Sequence, residues 1–167
     1  AFTSQSTRIV LLLGEHHTKF RMITKETLRK MARSAESFAK TEAKIDTSFA
    51  SGYGTVLFFE DAAVVRKLQA SFPTYKENFP VWTQQTSAMH QLAIWTMLED
   101  VGFGASLQHY NPLIDMEVRE EWKINPDWES PQHYNKMKKF RIFLLAITCL
   151  GLCQTLLISC DKEDETD

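Results

Sequence analysis

Apolar positions fall into short continuous runs and longer periodic stretches. Arg8-Ile9-Val10-Leu11-Leu12-Leu13, ended by Gly14, is an unbroken apolar run that predicts a strand buried on both faces. Thr55-Val56-Leu57-Phe58-Phe59, after the break Gly52-Tyr53-Gly54, predicts a second. From Thr18 to Met31 the period becomes helical, with Phe20, Ile23, Leu28 and Met31 on one side and basic residues on the other. His16-His17 precede it and read as a solvated helix start, since adjacent side chains diverge and cannot share a metal. The polar stretch Ser34 to Ser51 holds a short helix. Asp61 is placed to cap a helix to about Ser71, with Val65, Leu68 and Phe72 facing inward. Asp115 to Trp122 predicts a last helix, whose Asp115, Glu117, Glu120 and Glu121 read as a solvated face rather than an acid–base pair.

The stretch from Trp82 to Pro112 organises the chain. Thr83 is a candidate N-cap and Gly102 sits where a C-terminal glycine belongs. Between them Ala88, Met89, Leu92, Ile94, Trp95, Leu98 and Val101 cover more than one helix face, which predicts burial on several sides, within the domain or between subunits. Phe103-Gly104-Ala105 then leads into a short strand that presents Gln108, His109 and Tyr110 near its end. Gly102-Phe103-Gly104 is not a dinucleotide fingerprint: the third glycine is missing and a strand follows where a helix should. Strands alternating with helices predict an α/β or α+β class around a small sheet.

Composition changes this picture little. The 167 residues suffice for one domain, and a net charge of −2 gives no footprint for nucleic acid. Cys149, Cys153 and Cys160 are odd in number and clustered near the end, so they form no disulfide framework, no metal set is visible, and a reducing compartment is the default.

Four blocks carry a family resemblance: Thr3-Ser4-Gln5-Ser6-Thr7-Arg8-Ile9-Val10, Gly52 through Asp61, Asn78-Phe79-Pro80-Val81-Trp82, and Gly104 through Asp115. Together, from about Phe2 to Trp128, they resemble the nitroreductase superfamily, in the fungal and bacterial branch named after the fatty-acid repression mutant. The resemblance implies an α+β, three-layer α/β/α fold with a long buried helix at a homodimer interface. It also implies FMN as cofactor, NAD(P)H as reductant, and ping-pong hydride transfer to a nitroaromatic or quinone-like acceptor. An isologous dimer would cover the apolar central helix.

The resemblance also implies site residues. Thr3, Ser4 and Gln5 match the segment that lies against the flavin, with Gln5 in the place of the family's glutamine and Thr3 where asparagine is usual. The Gln5 amide can bond the ring edge. Lys44 falls near a basic position facing the N1–C2 carbonyl edge, where a cation stabilises the reduced ring. Leu107, Gln108, His109 and Tyr110 match the strand end that passes the flavin face and N5 side, mainly through backbone groups. His109 reads as either a proton donor or a hydrogen-bonded structural residue. No catalytic side chain is assigned beyond these cofactor contacts. The family's N-terminal helix, with its pair of phosphate-gripping arginines, has no counterpart in the sequence given. The family's C-terminal Pro-Phe-Gly run is replaced by Glu129-Ser130-Pro131-Gln132-His133-Tyr134.

A nitroreductase-like domain is therefore expected over 1–128 and a divergent tail over 129–167. Ile142 to Ser159 carries no charge and follows Lys136, Lys138, Lys139 and Arg141. It reads as a replaced C-terminus from a splice variant or shifted frame, as a membrane anchor with its basic flank cytoplasmic, or as a buried terminal helix. The expected location is cytoplasmic, with the nucleus as a second compartment; a membrane-anchored protein is the alternative. A non-catalytic dimer partner is the alternative to the enzyme.

Overall fold

The computed structural model describes residues 2–129 and the backbone of a further strand at 143–149. In chain order the elements are β1 (Thr7–Leu13), α1 (Glu15–Met31), α2 (Ala35–Lys44), a π-helical turn (Ile45–Ala50), β2 (Gly54–Asp61), α3 (Ala62–Ser71), a 3-10 turn (Pro73–Tyr75), α4 (Phe79–Asp100), β3 (Phe103–His109), α5 (Asp115–Glu121), β4 (Trp128–Glu129) and β5 (Phe143–Cys149). The class is α+β.

The sheet order is β1-β2-β5-β3, with β4 also pairing β2. β2 is its spine. β1 runs antiparallel along its whole length, Thr7 opposite Glu60 and Leu13 opposite Gly54. On the other edge β5 pairs with Gly54–Leu57 and β4 with Glu60–Asp61. The β-branched and aromatic residues of Val56-Leu57-Phe58-Phe59 suit this central position, and all four are buried. Gly54 is required by close approach: a Cβ there would stand 2.9 Å from the Leu12 carbonyl oxygen.

Two cores flank the sheet. On one face Leu12, Phe20, Leu57, Phe59, Ile114, Val118 and Ile124 pack between strands, α1 and α5. On the other, Val56 and Phe58 lie beneath Ile94, Trp95 and Leu98 of α4. The result is a helix–sheet–helix sandwich.

Several expectations hold. Asp61 caps α3, its Oδ1 accepting from the Ala63 amide at 3.0 Å. Gly102, at φ +85°, follows α4 and donates its amide to Glu99 at 3.0 Å, the C-terminal glycine expected there. Others are corrected. β1 is buried on one face only: Leu12 is in the core, whereas Ile9, Leu11 and Leu13 are exposed. By register these three share the sheet face of Val56 and Phe58 but lie beyond the cover that α4 gives that pair. α1 begins at Glu15, so His17 is inside it and buried rather than solvated. Phe72 is exposed, not inward-facing. Thr83 caps nothing; α4 starts at Phe79 with a proline in its first turn, a residue pre-set for that position, and Thr83 is buried in the helix. The buried stripe of α4 starts with Phe79 and continues through Thr83, Ser87 and Gln91, while Met89, Leu92 and Val101 are exposed in the single chain.

Within the expected tail, residues 143–149 form β5, between β2 and β3, rather than a helix. No helix among the described residues is long and apolar enough to cross a membrane. The remainder of the apolar stretch, 142 and 150–159, lies outside the described residues, as do Cys153 and Cys160.

Candidate functional site

The chain enters β1 through an unusual backbone. Phe2, Thr3 and Gln5 have φ of 54°, 51° and 50°. Left-handed geometry at a residue with a Cβ costs about 1–2 kcal/mol, so three such positions within four residues persist only where the surroundings hold them. The holding groups come from the end of β2. Ser6 Oγ donates to Glu60 Oε2 and Thr7 Oγ1 to Glu60 Oε1, each at 2.7 Å. Arg8 Nη1 donates to the Gln5 carbonyl at 2.7 Å, and Arg8 Nη2 to Asp61 Oδ2 at 2.9 Å. The Asp61 amide donates to the Ser6 carbonyl at 2.8 Å. The side chains of Thr3 and Gln5 remain exposed.

Glu60 is fully buried. By strand alternation it lies on the sheet face that α4 covers. Burial pushes its carboxyl above the usual range, against the opposing pull of the Thr7 and Ser6 hydroxyls, His90 and Arg8.

At the end of β3, Gln108 links two neighbours. Its Nε2 donates to Ser106 Oγ at 3.1 Å and its Oε1 accepts from the Tyr110 hydroxyl at 3.1 Å. Leu107 and Gln108 are half-buried, His109 is exposed, and Tyr110 packs against the core on the α1 side. Burial raises the Tyr110 phenol, and Arg21 opposes that rise.

The topology sets these segments at the same end of the sheet. β1 is antiparallel to β2; β3 and β2 are both antiparallel to β5. The start of β1 and the end of β3 therefore lie with the end of β2. Two strands separate them, which puts β1 and β3 about 14 Å apart across the sheet. One chain thus places Thr3–Gln5 and 107–110 at a common edge of the sheet. Lys44 is the last residue of α2 and exposed, and its ammonium makes no ion pair or hydrogen bond with a described residue.

Sequence reasoning missed a second polar group, buried under α1. His17 Nδ1 and Arg21 Nη2 both reach Thr55 Oγ1, at 2.8 and 3.1 Å. Arg21 is 2% exposed, and burial drops its guanidinium to about 10. It also missed Glu60 and the pairing of Asp61 with Arg8. The available signal was Glu60 itself, a carboxylate on the same strand face as Val56 and Phe58.

Comparison with known proteins fits this architecture. The family model described as the nitroreductase family matches residues 1–133. The chain belongs to the nitroreductase family. Among its relatives in Saccharomyces cerevisiae, the putative nitroreductase HBN1 is 36% identical over 129 residues, covering 74% of this chain and 62% of HBN1. The nitroreductase FRM2 is 33% identical over 124 residues, covering 74% of this chain and 60% of FRM2. The chain thus spans about three-fifths of the length of the curated relatives it matches. Among solved structures, the nitroreductase CinD from Lactococcus lactis in complex with 4-nitrophenol has a TM-score of 0.73 at 35% identity, covering 96% of this chain and 74% of that one. A CinD complex with chloramphenicol gives 0.74 at 35%, with 96% and 75% covered. These family structures share the α+β sheet and its flanking helices with this chain.

Proposed function

We propose that this chain is the subunit of an FMN-dependent NAD(P)H oxidoreductase that reduces small nitroaromatic or quinone-like acceptors. The observation that carries the proposal is the family match over residues 1–133, joined to the likeness to CinD, whose structures hold 4-nitrophenol and chloramphenicol.

The residues present suit the ring portion of FMN. The exposed Gln5 amide offers one donor and one acceptor for the heterocycle's polar edge, on a backbone that Glu60, Asp61 and Arg8 hold in place. Thr3 and Ser4 add hydroxyls beside it. Lys44 carries a cation not engaged by any described residue, suited to negative charge at the N1–C2 edge. Leu107, Gln108, His109 and Tyr110 would lie along the ring face, with Gln108 and Tyr110 fixed by their mutual hydrogen bond. Bound there, FMN would supply the hydride-transfer chemistry between NAD(P)H and the acceptor. The chain's own residues orient that ring and exclude water from one side of it.

A second copy completes the slot in this reading. Met89, Leu92, Met97 and Val101 of α4, together with Ile9, Leu11 and Leu13 of β1, are exposed. An isologous homodimer would cover α4 and bring the Gln5 edge of one subunit toward segment 107–110 of the other. The domain over 1–128 supplies all of these residues.

The test is to purify the chain, reconstitute it with FMN, and add NAD(P)H without oxygen. A yellow dimer bleached by NAD(P)H and recoloured by a nitroaromatic is expected. A colourless dimer that takes up no FMN contradicts catalysis and favours a non-catalytic dimer partner.

A further inference from the structure

Among the described residues, three places hold chemistry that the cofactor contacts leave unused. Of these, the buried guanidinium of Arg21 is engaged with Thr55, and the open hollow around Glu15, His16 and Lys19 is a surface feature. The third is the pair of carboxylates ending β2.

We propose that Glu60 is a positioning residue, which acts through Ser6 and Thr7 to hold Gln5 in the conformation that meets the flavin edge. The inference rests on the flavin reading above.

Glu60 and Asp61 each grip the same short segment, from opposite sides of the strand. Glu60 accepts two hydroxyl hydrogen bonds from consecutive residues, Ser6 and Thr7, one on each carboxylate oxygen. This fixes the rotamers of both and with them the entry into β1. Ser4 Oγ stands 3.3 Å from Ser6 Oγ, extending the chain of hydroxyls toward the left-handed residues. Asp61 acts through Arg8, whose second nitrogen holds the Gln5 carbonyl. The Gln5 peptide is thus tied by its carbonyl, and the following residue by its side chain. The Gln5 side chain, bound to nothing among the described residues, is left to point outward.

A buried carboxylate without a counter-ion at bonding distance is a costly way to join two strands that already share a full hydrogen-bond ladder. The titratable groups that act on it are Arg8 from β1 and His90 from α4. Ordinary sheet stability asks for an apolar residue there, as at Val56 and Phe58 on the same face. What the carboxylate adds is orientation of the segment before β1.

The test combines Glu60→Met, an apolar replacement of similar length, with Glu60→Gln and Gln5→Ala on the full chain. Two measurements are made. The first is amide hydrogen exchange over residues 3–8 of the flavin-free chain. Glu60→Met should speed exchange there about tenfold and leave α1 and α5 unchanged, with Glu60→Gln in between. The second is FMN affinity by fluorescence quenching. Glu60→Met should weaken it about tenfold, but by less than about twofold once Gln5→Ala is present, because the two act through one contact. If Glu60→Met does not fold, the Ser6→Ala/Thr7→Val pair removes the same two hydrogen bonds and carries the same expectations. Unchanged exchange over 3–8, or fully additive losses with Gln5→Ala, overturns the proposal. Wild-type chain that binds no FMN overturns the flavin reading alone; the exchange result then decides whether Glu60 holds the segment.

Discussion

Arg21 reaches Thr55 Oγ1 with Nη2 at 3.1 Å and leaves Nε and Nη1 without a hydrogen-bond partner among the described residues. The guanidinium also lies over Phe20 and Phe49, at 5.4 and 5.6 Å from their ring centres. These contacts soften but do not replace a counter-ion. A buried charge with unpaired donors opposes folding, and an apolar residue of similar volume should do better. Arg21→Met is expected to raise stability by about 1–3 kcal/mol, seen as a higher melting temperature. A fall would mean that Thr55 and the two rings satisfy the guanidinium more fully than its geometry indicates.

His17 shares the Thr55 hydroxyl, and burial followed by Arg21 lowers its imidazole below the ordinary value of 6.5. The folded chain therefore favours neutral His17. Its contribution to stability is complete above pH 6.5 and is lost as the pH falls through the lowered folded value. His17→Gln keeps a partner for Thr55 and does not titrate. The stability difference between wild type and this variant, measured by urea unfolding, should shift against wild type as the pH drops below 6.5. A difference independent of pH would contradict a buried neutral His17.

Glu60 behaves in the opposite sense. Burial raises its carboxyl above the ordinary 4.5, so the folded chain favours the protonated acid. That contribution is fully present below pH 4.5 and is lost as the pH rises through the raised folded value. Glu60→Gln should be at least as stable as wild type at pH 7 and lose that advantage toward pH 4.5. Unfolding curves across that window read the difference; an advantage that grows toward acid would be contrary.

Leu57 is almost wholly buried in the core between β2, α1 and α5. Leu57→Ala should cost about 2–5 kcal/mol in denaturant unfolding, since the surrounding β2 ladder keeps the cavity from collapsing. A loss below about 1 kcal/mol would show that this layer repacks freely.

The exposed apolar residues of α4 test the paired assembly. Leu92→Glu places a charge on that face without touching the core of the single chain. Light scattering should show a dimer for wild type and a monomer for the variant. A wild-type monomer would leave the second half of the slot without a source.

How much of this was legible in the sequence depended on the range of the interactions. β2 was plain from five consecutive apolar and β-branched residues, and Asp61 as a cap was plain because its partners lie two and three residues away. His17 was not, because its partner Thr55 is 38 residues distant and only the folded sheet brings them together. The same holds for Glu60, whose two donors lie 54 and 53 residues away. Thr83 misled because a good capping residue outweighed Pro80, which starts the helix a turn earlier. β1 misled because an apolar run cannot show whether its second face meets this chain or another. The two helical readings of the tail failed at 143–149 because an apolar run suits a helix or a buried strand equally, and here it pairs with β2 and β3.

The most direct measurement of the central claim is a titration of flavin-free chain with FMN, comparing wild type with Gln5→Ala at equal concentration. The account predicts saturable binding at one FMN per chain, weakened about tenfold by loss of the amide. Saturable binding of equal strength in both, or none in either, would contradict it.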